Sequence, residues 1–144
     1  MNSKILYNRL GKMKKSLMKL PHICGESRMC AVILDSRGIP ISIGYNSYKK
    51  THPIMRNFVK KELLFSDGSN GDKKIYLHAE LDCYDKGLSQ KNKWNTMIIT
   101  RIDANNNFRL ARPCVGCFEM IKNSFVNVYY TDNNGNLILL KTGD

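Results

Sequence analysis

The hydrophobic and polar positions of the 144-residue chain follow two periods, one typical of helices and one of strands. From Lys4 to Leu20, apolar residues recur at helical intervals with lysine and arginine between them. This pattern predicts an amphipathic helix with a basic outer face over residues 1–20. We expect the helix to cover a sheet, and a membrane-surface helix is the alternative. The run Cys30–Leu34 then predicts a buried strand, the letters DSRG a turn, and IPISIGYN a second strand.

The second half of the chain alternates between helical and strand patterns. The segment from His78 to Lys86 predicts a helix ended by Gly87, and WNTMIITRI predicts a third strand. PCVGCFEMIKNSF predicts a helix with Pro113 at its first position, where proline fits. VNVYYTD and NLILL predict two last strands that form a hairpin around an Asn-Gly turn. We therefore expect a single α/β domain over residues 1–144, with a mixed sheet. Right-handed crossovers would bring the starts of the two later helices to one edge of it.

Composition and charge limit the compartment and the partners. No apolar run reaches the roughly 18–20 residues of a membrane span, and the first residues lack a secretory pattern. The five cysteines are an odd number, which favours reduced thiols over a disulfide framework. We therefore expect a cytoplasmic protein without a membrane partner. The net charge of +11 favours contact with nucleic acids or phosphorylated small molecules, and a basic surface for solubility is the alternative.

Cys114 and Cys117 form a Cys-x-x-Cys pair at the start of a predicted helix. In a reduced protein such a pair can be a redox couple, half of a structural zinc site or a coincidence. Here the amides and the dipole of a helix N-terminus would stabilise thiolates, which are the form that binds a metal. The pair alone therefore does not decide among these interpretations.

His78 and Glu80 lie at the start of the other predicted helix, in the stretch YLHAELDC. If the two helix starts meet, His78, Cys114 and Cys117 provide three ligands, with Glu80 close to the metal but not bound to it. Three protein ligands and one position for water are typical of a catalytic zinc. Water on zinc has a pKa of about 7, and a free glutamate can carry its proton to a leaving amine.

A fourth protein ligand would make the same site structural. Cys83 lies about 140° around the helix from His78, so we expect it to point elsewhere. Three other residues precede or lie within the first strand and stay as alternatives: His22, Cys24 and Cys30.

The order His-x-Glu followed by Pro-Cys-x-x-Cys is the signature of zinc nucleobase deaminases. From about Met29 to Leu140 the sequence resembles the cytidine deaminase superfamily, and a phage-encoded member is one option. The resemblance implies Zn²⁺ on His78, Cys114 and Cys117, with Glu80 as the proton shuttle. It also implies a three-layer α/β/α sandwich: a mixed five-stranded sheet with helices on both faces and a C-terminal β-hairpin.

The resemblance also indicates where a substrate would bind. It assigns substrate contacts to Asn46, His52, Ala79 and Tyr130. Three of the four have a structural alternative: Asn46 can simply make a turn, His52 can be a surface histidine, and Tyr130 can pack in the core. Short members of the superfamily often form dimers or tetramers, so a homo-oligomer is open, although the sequence does not indicate an interface.

The sequence therefore predicts a zinc-dependent hydrolytic deaminase in the cytoplasm, or in the host cytoplasm for a phage-encoded chain. It would convert cytosine to uracil on a (deoxy)cytidine nucleoside or nucleotide, or on cytosine in single-stranded DNA or RNA. The tight hairpin between the last two strands resembles the free-cytidine branch and some nucleic-acid-modifying toxins. Two alternatives stay open: an adenosine or tRNA deaminase, and a non-catalytic nucleic-acid-binding protein with a structural zinc site.

Overall fold

The computed structural model describes residues 1–24, 27–47 and 78–140. Its helices in these ranges are α1 (Ser3–Met18), α2 (Ala79–Gly87), a 3-10 helix (Leu88–Lys93) and α3 (Val115–Ile121). Its strands are β1 (Arg28–Leu34), β2 (Pro40–Tyr45), β3 (Thr96–Ile102), β4 (Phe108–Arg109), β5 (Asn127–Thr131) and β6 (Leu137–Leu139). Within the described residues, no helix is both long enough and apolar enough to cross a lipid bilayer.

The strands form one mixed sheet in the order β2-β1-β3-β5-β6. The β3–β5 pair is parallel, and the β1–β2, β1–β3 and β5–β6 pairs are antiparallel. The predicted mixed sheet and C-terminal hairpin are therefore confirmed. A sixth strand, β4, pairs with the end of β3 beside this path, in a segment predicted to be a loop. Two residues are too few to show the alternation that marks a strand in the sequence.

Helices cover both faces of this sheet, which confirms the predicted three layers. Side chains alternate across β1, so Val32 packs with α1 on one face and Ile33 packs beneath α2 on the other. α1 buries four side chains of its inner face: Leu6, Leu10, Met13 and Leu17. The opposite cluster includes Ala79 and Cys83 of α2 and Ile121 of α3. β1 is buried almost throughout because both of its faces are covered.

Two helices end earlier than the sequence pattern predicts. α1 ends at Met18, and the Arg28 guanidinium donates hydrogen bonds to the carbonyls of Leu17 and Leu20 at 3.5 and 3.3 Å. The Leu17 carbonyl also accepts from the Leu20 N–H at 3.1 Å, so Arg28 adds to the bonds that close this helix end. α3 ends at Ile121, and the Phe125 ring stacks on Trp94 with centroids 5.1 Å apart.

Three turns that join neighbouring strands use the same device. In each turn, an aspartate carboxylate accepts hydrogen bonds from the backbone N–H groups two and four residues later. The three aspartates are Asp35, Asp103 and Asp132. These bonds hold the pKa of each of the three carboxyls below its ordinary value. The Asp132 turn closes the β5–β6 hairpin, and Gly135 supplies the left-handed residue that it needs, with φ 81°.

Candidate active site

Helix α2 is held against β2 by direct backbone contact. A Cβ atom at Gly44 would lie closer than 3.0 Å to the Cys83 nitrogen and the Ala79 oxygen, so only glycine allows this approach. The Tyr45 N–H donates to Asp82 Oδ2 at 3.0 Å, and the Ser42 hydroxyl donates to the Cys83 carbonyl at 2.8 Å. These contacts fix the first turn of α2 relative to the sheet.

The starts of α2 and α3 bring three metal-ligating side chains together. His78 is the N-cap residue of α2, Cys114 is the N-cap residue of α3, and Cys117 lies in the first turn of α3. His78 Nδ1 lies 3.5 Å from Cys114 Sγ and 3.3 Å from Cys117 Sγ. We call these three residues the His–Cys–Cys cluster. Their ligand atoms all lie within 4.8 Å of one another.

The spacing of the cluster suits zinc. Zinc binds sulfur at about 2.3 Å and nitrogen at about 2.0–2.1 Å, so tetrahedral ligand atoms lie roughly 3.5–3.8 Å apart. The nitrogen–sulfur distances of 3.3 and 3.5 Å are close to this range. One imidazole and two thiolates are also a donor set that zinc prefers. The described residues can therefore hold a zinc ion with only small adjustments.

Within the described residues, the group that could hold a metal has three members. Cys83 is buried, and its sulfur lies 3.2 Å from the Ser42 hydroxyl. Cys30 lies in the core beneath α1, and Cys24 and His22 are exposed. None of these joins the cluster, and none of the five cysteines forms a disulfide. The described part of the chain thus supplies the three ligands expected of a catalytic zinc and no fourth.

Glu80 lies in the first turn of α2, beside the cluster and only 2% exposed. Its Oε1 atom has no hydrogen-bond partner among the described residues. Burial raises the pKa of this carboxyl, and the nearby His78 opposes that rise. The other buried side-chain atoms without a partner are the Nε atoms of Arg9, Arg28 and Arg101, so Glu80 is the only carboxylate in this state among the described residues.

The environments of the buried and half-buried cysteines shift their pKa values in different directions. Hydrogen bonding from Cys117, together with His78, lowers the pKa of Cys114 to about 4. Burial and the neighbouring Cys114 raise the pKa of Cys117 well above its ordinary value. The pair therefore carries one thiolate and one thiol, and binding a metal through both would release a proton. Burial raises the pKa of Cys30 and of Cys83 to about 12, which keeps both as core thiols.

The structure describes three of the four residues that were predicted to contact the substrate. The Asn46 amide accepts from the Met29 N–H at 2.9 Å and donates to the Ser27 carbonyl at 2.8 Å, so it links β2 to the start of β1. Ala79 and Tyr130 are buried in one core cluster, on the sheet face that carries α2. His52 lies outside the described residues. All four assignments as substrate contacts stay predictions.

Three residues that position the site were not assigned that role from the sequence. They are Ser42, Gly44 and Asp82, which hold α2 on β2. Gly44 carried a usable signal, because a glycine inside a strand often marks a close backbone approach. Asp82 carried a weaker one, since acidic residues are common in the first turn of any helix.

Comparisons with known proteins agree with this geometry at the level of the fold. No family model matches the chain, and no curated protein sequence matches it. The crystal structure of cytidine deaminase from Burkholderia pseudomallei matches with a TM-score of 0.61 and 13% identity, covering 100% of this chain and 95% of that one. Cytidine deaminase from Mycobacterium leprae matches with a TM-score of 0.54 and 10% identity, covering 92% of each chain. The chain therefore has the cytidine deaminase fold.

Proposed function

We propose that the chain is a zinc-dependent hydrolytic deaminase that converts cytosine to uracil. Two known structures with the same fold are cytidine deaminases, and this supports the reaction class. The observation that carries the proposal is the buried Glu80 carboxylate, with one oxygen unpartnered among the described residues, beside the His–Cys–Cys cluster. A purely structural zinc site has no use for such a carboxylate, because it costs stability and adds no ligand.

His78, Cys114 and Cys117 would hold the zinc ion in this proposal. When bound, zinc activates a water molecule for attack on C4 of the cytosine ring. Glu80 accepts a proton from that water and delivers it toward the amine that leaves. The oxygen of water forms a bond to C4, the bond from C4 to the exocyclic nitrogen breaks, and ammonia departs. One water and one cytosine thus give one uracil and one ammonia.

Burial of Glu80 suits this role. A carboxyl whose pKa is raised by burial exchanges protons closer to neutral pH than an exposed glutamate does. The low exposure of its surroundings also strengthens electrostatic interactions with the reacting groups. Ala79 and Tyr130 lie on the same sheet face, and we propose that they, with Asn46 and His52, contact the substrate base or sugar.

The proposed substrate is a (deoxy)cytidine nucleoside or nucleotide, or cytosine in single-stranded nucleic acid. The antiparallel β5–β6 hairpin supports cytosine over adenine, through the resemblance to the free-cytidine branch. The five thiols without a disulfide support a reducing compartment such as the cytoplasm. Self-association stays a prediction, which sedimentation analysis of the purified chain measures.

Product mass tests the proposed reaction. Purified protein is incubated separately with cytidine, deoxycytidylate, adenosine, single-stranded DNA and single-stranded RNA. Exchange of an amine for a carbonyl oxygen adds about one mass unit to the product. We expect this gain on at least one cytosine-containing substrate, with equimolar ammonia release. As a control, removing zinc with a chelator should abolish the gain, and adding zinc back should restore it.

Other outcomes separate the alternatives. A mass gain on adenosine alone would contradict the cytosine assignment and favour an adenosine deaminase. No gain on any of the five substrates, from protein that holds zinc, would favour a non-catalytic protein with a structural zinc site.

A further inference from the structure

Helix α1 carries a straight stripe of lysines on its outer surface. Lys4, Lys12, Lys15 and Lys19 are separated by eight, three and four residues, so an α-helical path from Ser3 aligns them on one side. All four are exposed. The four buried residues of α1 project from the opposite side, about half a turn away. We call these four residues the lysine stripe.

The charge around the stripe is unbalanced. Residues 1–24 contain six lysines and arginines and no aspartate or glutamate. The other described residues contain nine lysines and arginines against seven acidic residues, which is nearly neutral. No ion pair within the described residues involves a lysine of α1. The positive charge of the described surface is therefore concentrated on α1.

Helix stability does not explain the stripe. Like charges three or four residues apart repel one another, and α1 has no glutamate that could form stabilising pairs with its lysines. Lys15 and Lys19 are favoured by the helix dipole near the C-terminus, but Lys4 lies in the first turn, where the dipole disfavours a cation. A solubility surface would be served as well by mixed charges. The stripe thus contributes little to the stability of the helix, because the repulsion among its lysines is offset only near the C-terminus.

The structure favours nucleic acid over a membrane as the partner. A helix that binds a lipid surface inserts its apolar face into the acyl boundary. The apolar face of α1 is already buried against the sheet, with Leu6, Leu10, Met13 and Leu17 each 5% exposed or less. The outer face left for a partner carries the lysine stripe together with the exposed Tyr7 and Met18, and these two are too few to form the apolar face that a lipid surface requires. A row of cations on a rigid helix is complementary to the regularly spaced phosphates of a nucleic-acid strand.

We propose that the lysine stripe of α1 binds the phosphodiester backbone of a nucleic acid. The stripe spans fifteen residues, or about 22 Å along the helix axis. At about 3.4 Å per nucleotide in a stacked strand, this length matches roughly six nucleotides. α1 lies on the sheet face opposite to α2, so this surface is separate from Glu80 and the His–Cys–Cys cluster. The inference does not rest on the proposed deaminase activity.

Fluorescence anisotropy with labelled oligonucleotides tests the proposal. The probes are single-stranded DNA, single-stranded RNA and duplex DNA, each titrated with full-length protein at several salt concentrations. The test variant combines Lys12→Gln, Lys15→Gln and Lys19→Gln, because glutamine keeps helix propensity while it removes charge. For single strands we expect the slope of log affinity against log salt to fall by about two. Affinity at low salt should fall at least about tenfold.

A matched variant separates the stripe from net charge. It removes three other exposed cations, outside α1: Arg37→Gln, Lys91→Gln and Lys93→Gln. This variant should keep the wild-type slope, and a variant with arginine at positions 12, 15 and 19 should keep binding. Circular dichroism confirms that all variants fold.

Three results would overturn the proposal. The first is an unchanged affinity and salt slope in the folded glutamine variant of the stripe. The second is an equal loss in the matched variant, which would mean that net charge alone drives binding. The third is a stripe-dependent affinity for vesicles with anionic lipid together with no binding to any oligonucleotide. Comparison of the three probes then shows whether DNA, RNA or the duplex supplies the phosphates.

Discussion

Both faces of the sheet bury a cluster of apolar side chains, but they differ in what else they bury. On the α1 face the apolar core is accompanied by three buried threonines whose hydroxyls form hydrogen bonds (Thr96, Thr100 and Thr131), and Arg28 closes the helix end. Beneath α2, the core adjoins the buried Glu80 carboxylate and the His–Cys–Cys cluster, and the backbone of α2 packs directly on Gly44. The buried threonines of the α1 face are thus hydrogen-bonded, whereas the α2 face adjoins a buried carboxylate with one oxygen unpartnered among the described residues.

A second contrast, which does not follow the two faces, separates the cysteines. Cys30, beneath α1, and Cys83, in α2, are core thiols whose pKa burial raises to about 12. Cys114 and Cys117 lie at the start of a helix within reach of an imidazole. Residue type alone therefore does not define a ligand. The helix start places the second pair where a metal can bind.

Loss of a zinc ligand should give the largest effect. Cys117→Ala removes one of the three ligands, so zinc content after dialysis should fall from about one ion per chain to close to zero. Cys83→Ala is the matched control, because it removes a buried thiol of the same helix-and-sheet layer that does not touch the cluster. Metal analysis of both folded variants measures the difference. Full zinc retention by Cys117→Ala would contradict the ligand assignment.

Shortening a buried side chain beneath α1 should lower the stability of the fold but leave the candidate active site intact. Leu17 is fully buried, so Leu17→Ala should lower the free energy of unfolding by about 2–5 kcal/mol. Zinc content of the folded fraction should not change. The neighbouring Met18 is 46% exposed, and Met18→Ala should shift stability by no more than about 0.5 kcal/mol. Chemical denaturation gives both values, and zinc loss in folded Leu17→Ala would show that the two faces are coupled.

Adding a methyl group at Gly44 should displace α2 and thereby disturb the candidate active site. The new Cβ would collide with backbone atoms of Ala79 and Cys83, so Gly44→Ala should destabilise by about 1–3 kcal/mol. It should also reduce turnover, because a shift of α2 moves Glu80 and His78 together. At Gly11, on α1, a Cβ meets nothing within 4 Å, and Gly11→Ala should stabilise by about 0.5–1 kcal/mol. Equal behaviour of the two variants would contradict the close packing of α2 on β2.

Much of the fold could be predicted because the strongest patterns belong to the most buried elements. β1 contains the apolar run Met29–Leu34 and β3 the apolar run Met97–Ile99, and α1 shows a clear helical period. The two-residue β4 could not be predicted, since its pairing with β3 depends on register. The early end of α3 depends on the stacking of Phe125 on Trp94, a contact between residues 31 positions apart. Neither contact leaves a periodic signal in the sequence.

The sequence predicted the candidate metal ligands and Glu80, but not the residues that hold them in place. His78, Glu80, Cys114 and Cys117 stand in an ordered pattern that the sequence shows directly, and the structure brings them together. The supports at Ser42 and Asp82 act through hydrogen bonds between strand and helix, and these follow from three-dimensional packing. For Asn46, the amide bonds to Ser27 and Met29 depend on the packing of β2 beside β1 and could not be predicted, and its substrate contact stays a prediction.

The central claim is that Glu80 moves a proton and does not bind the metal. Its most direct test is the Glu80→Gln variant, measured for zinc content and ammonia release in one preparation. Glu119→Gln is the matched control, because that glutamate is exposed on α3 and pairs only with Lys122 within the described residues. We expect full zinc occupancy in both variants and a loss of turnover of about 10²–10⁴-fold in Glu80→Gln alone. Unchanged ammonia release from zinc-loaded Glu80→Gln would contradict the account.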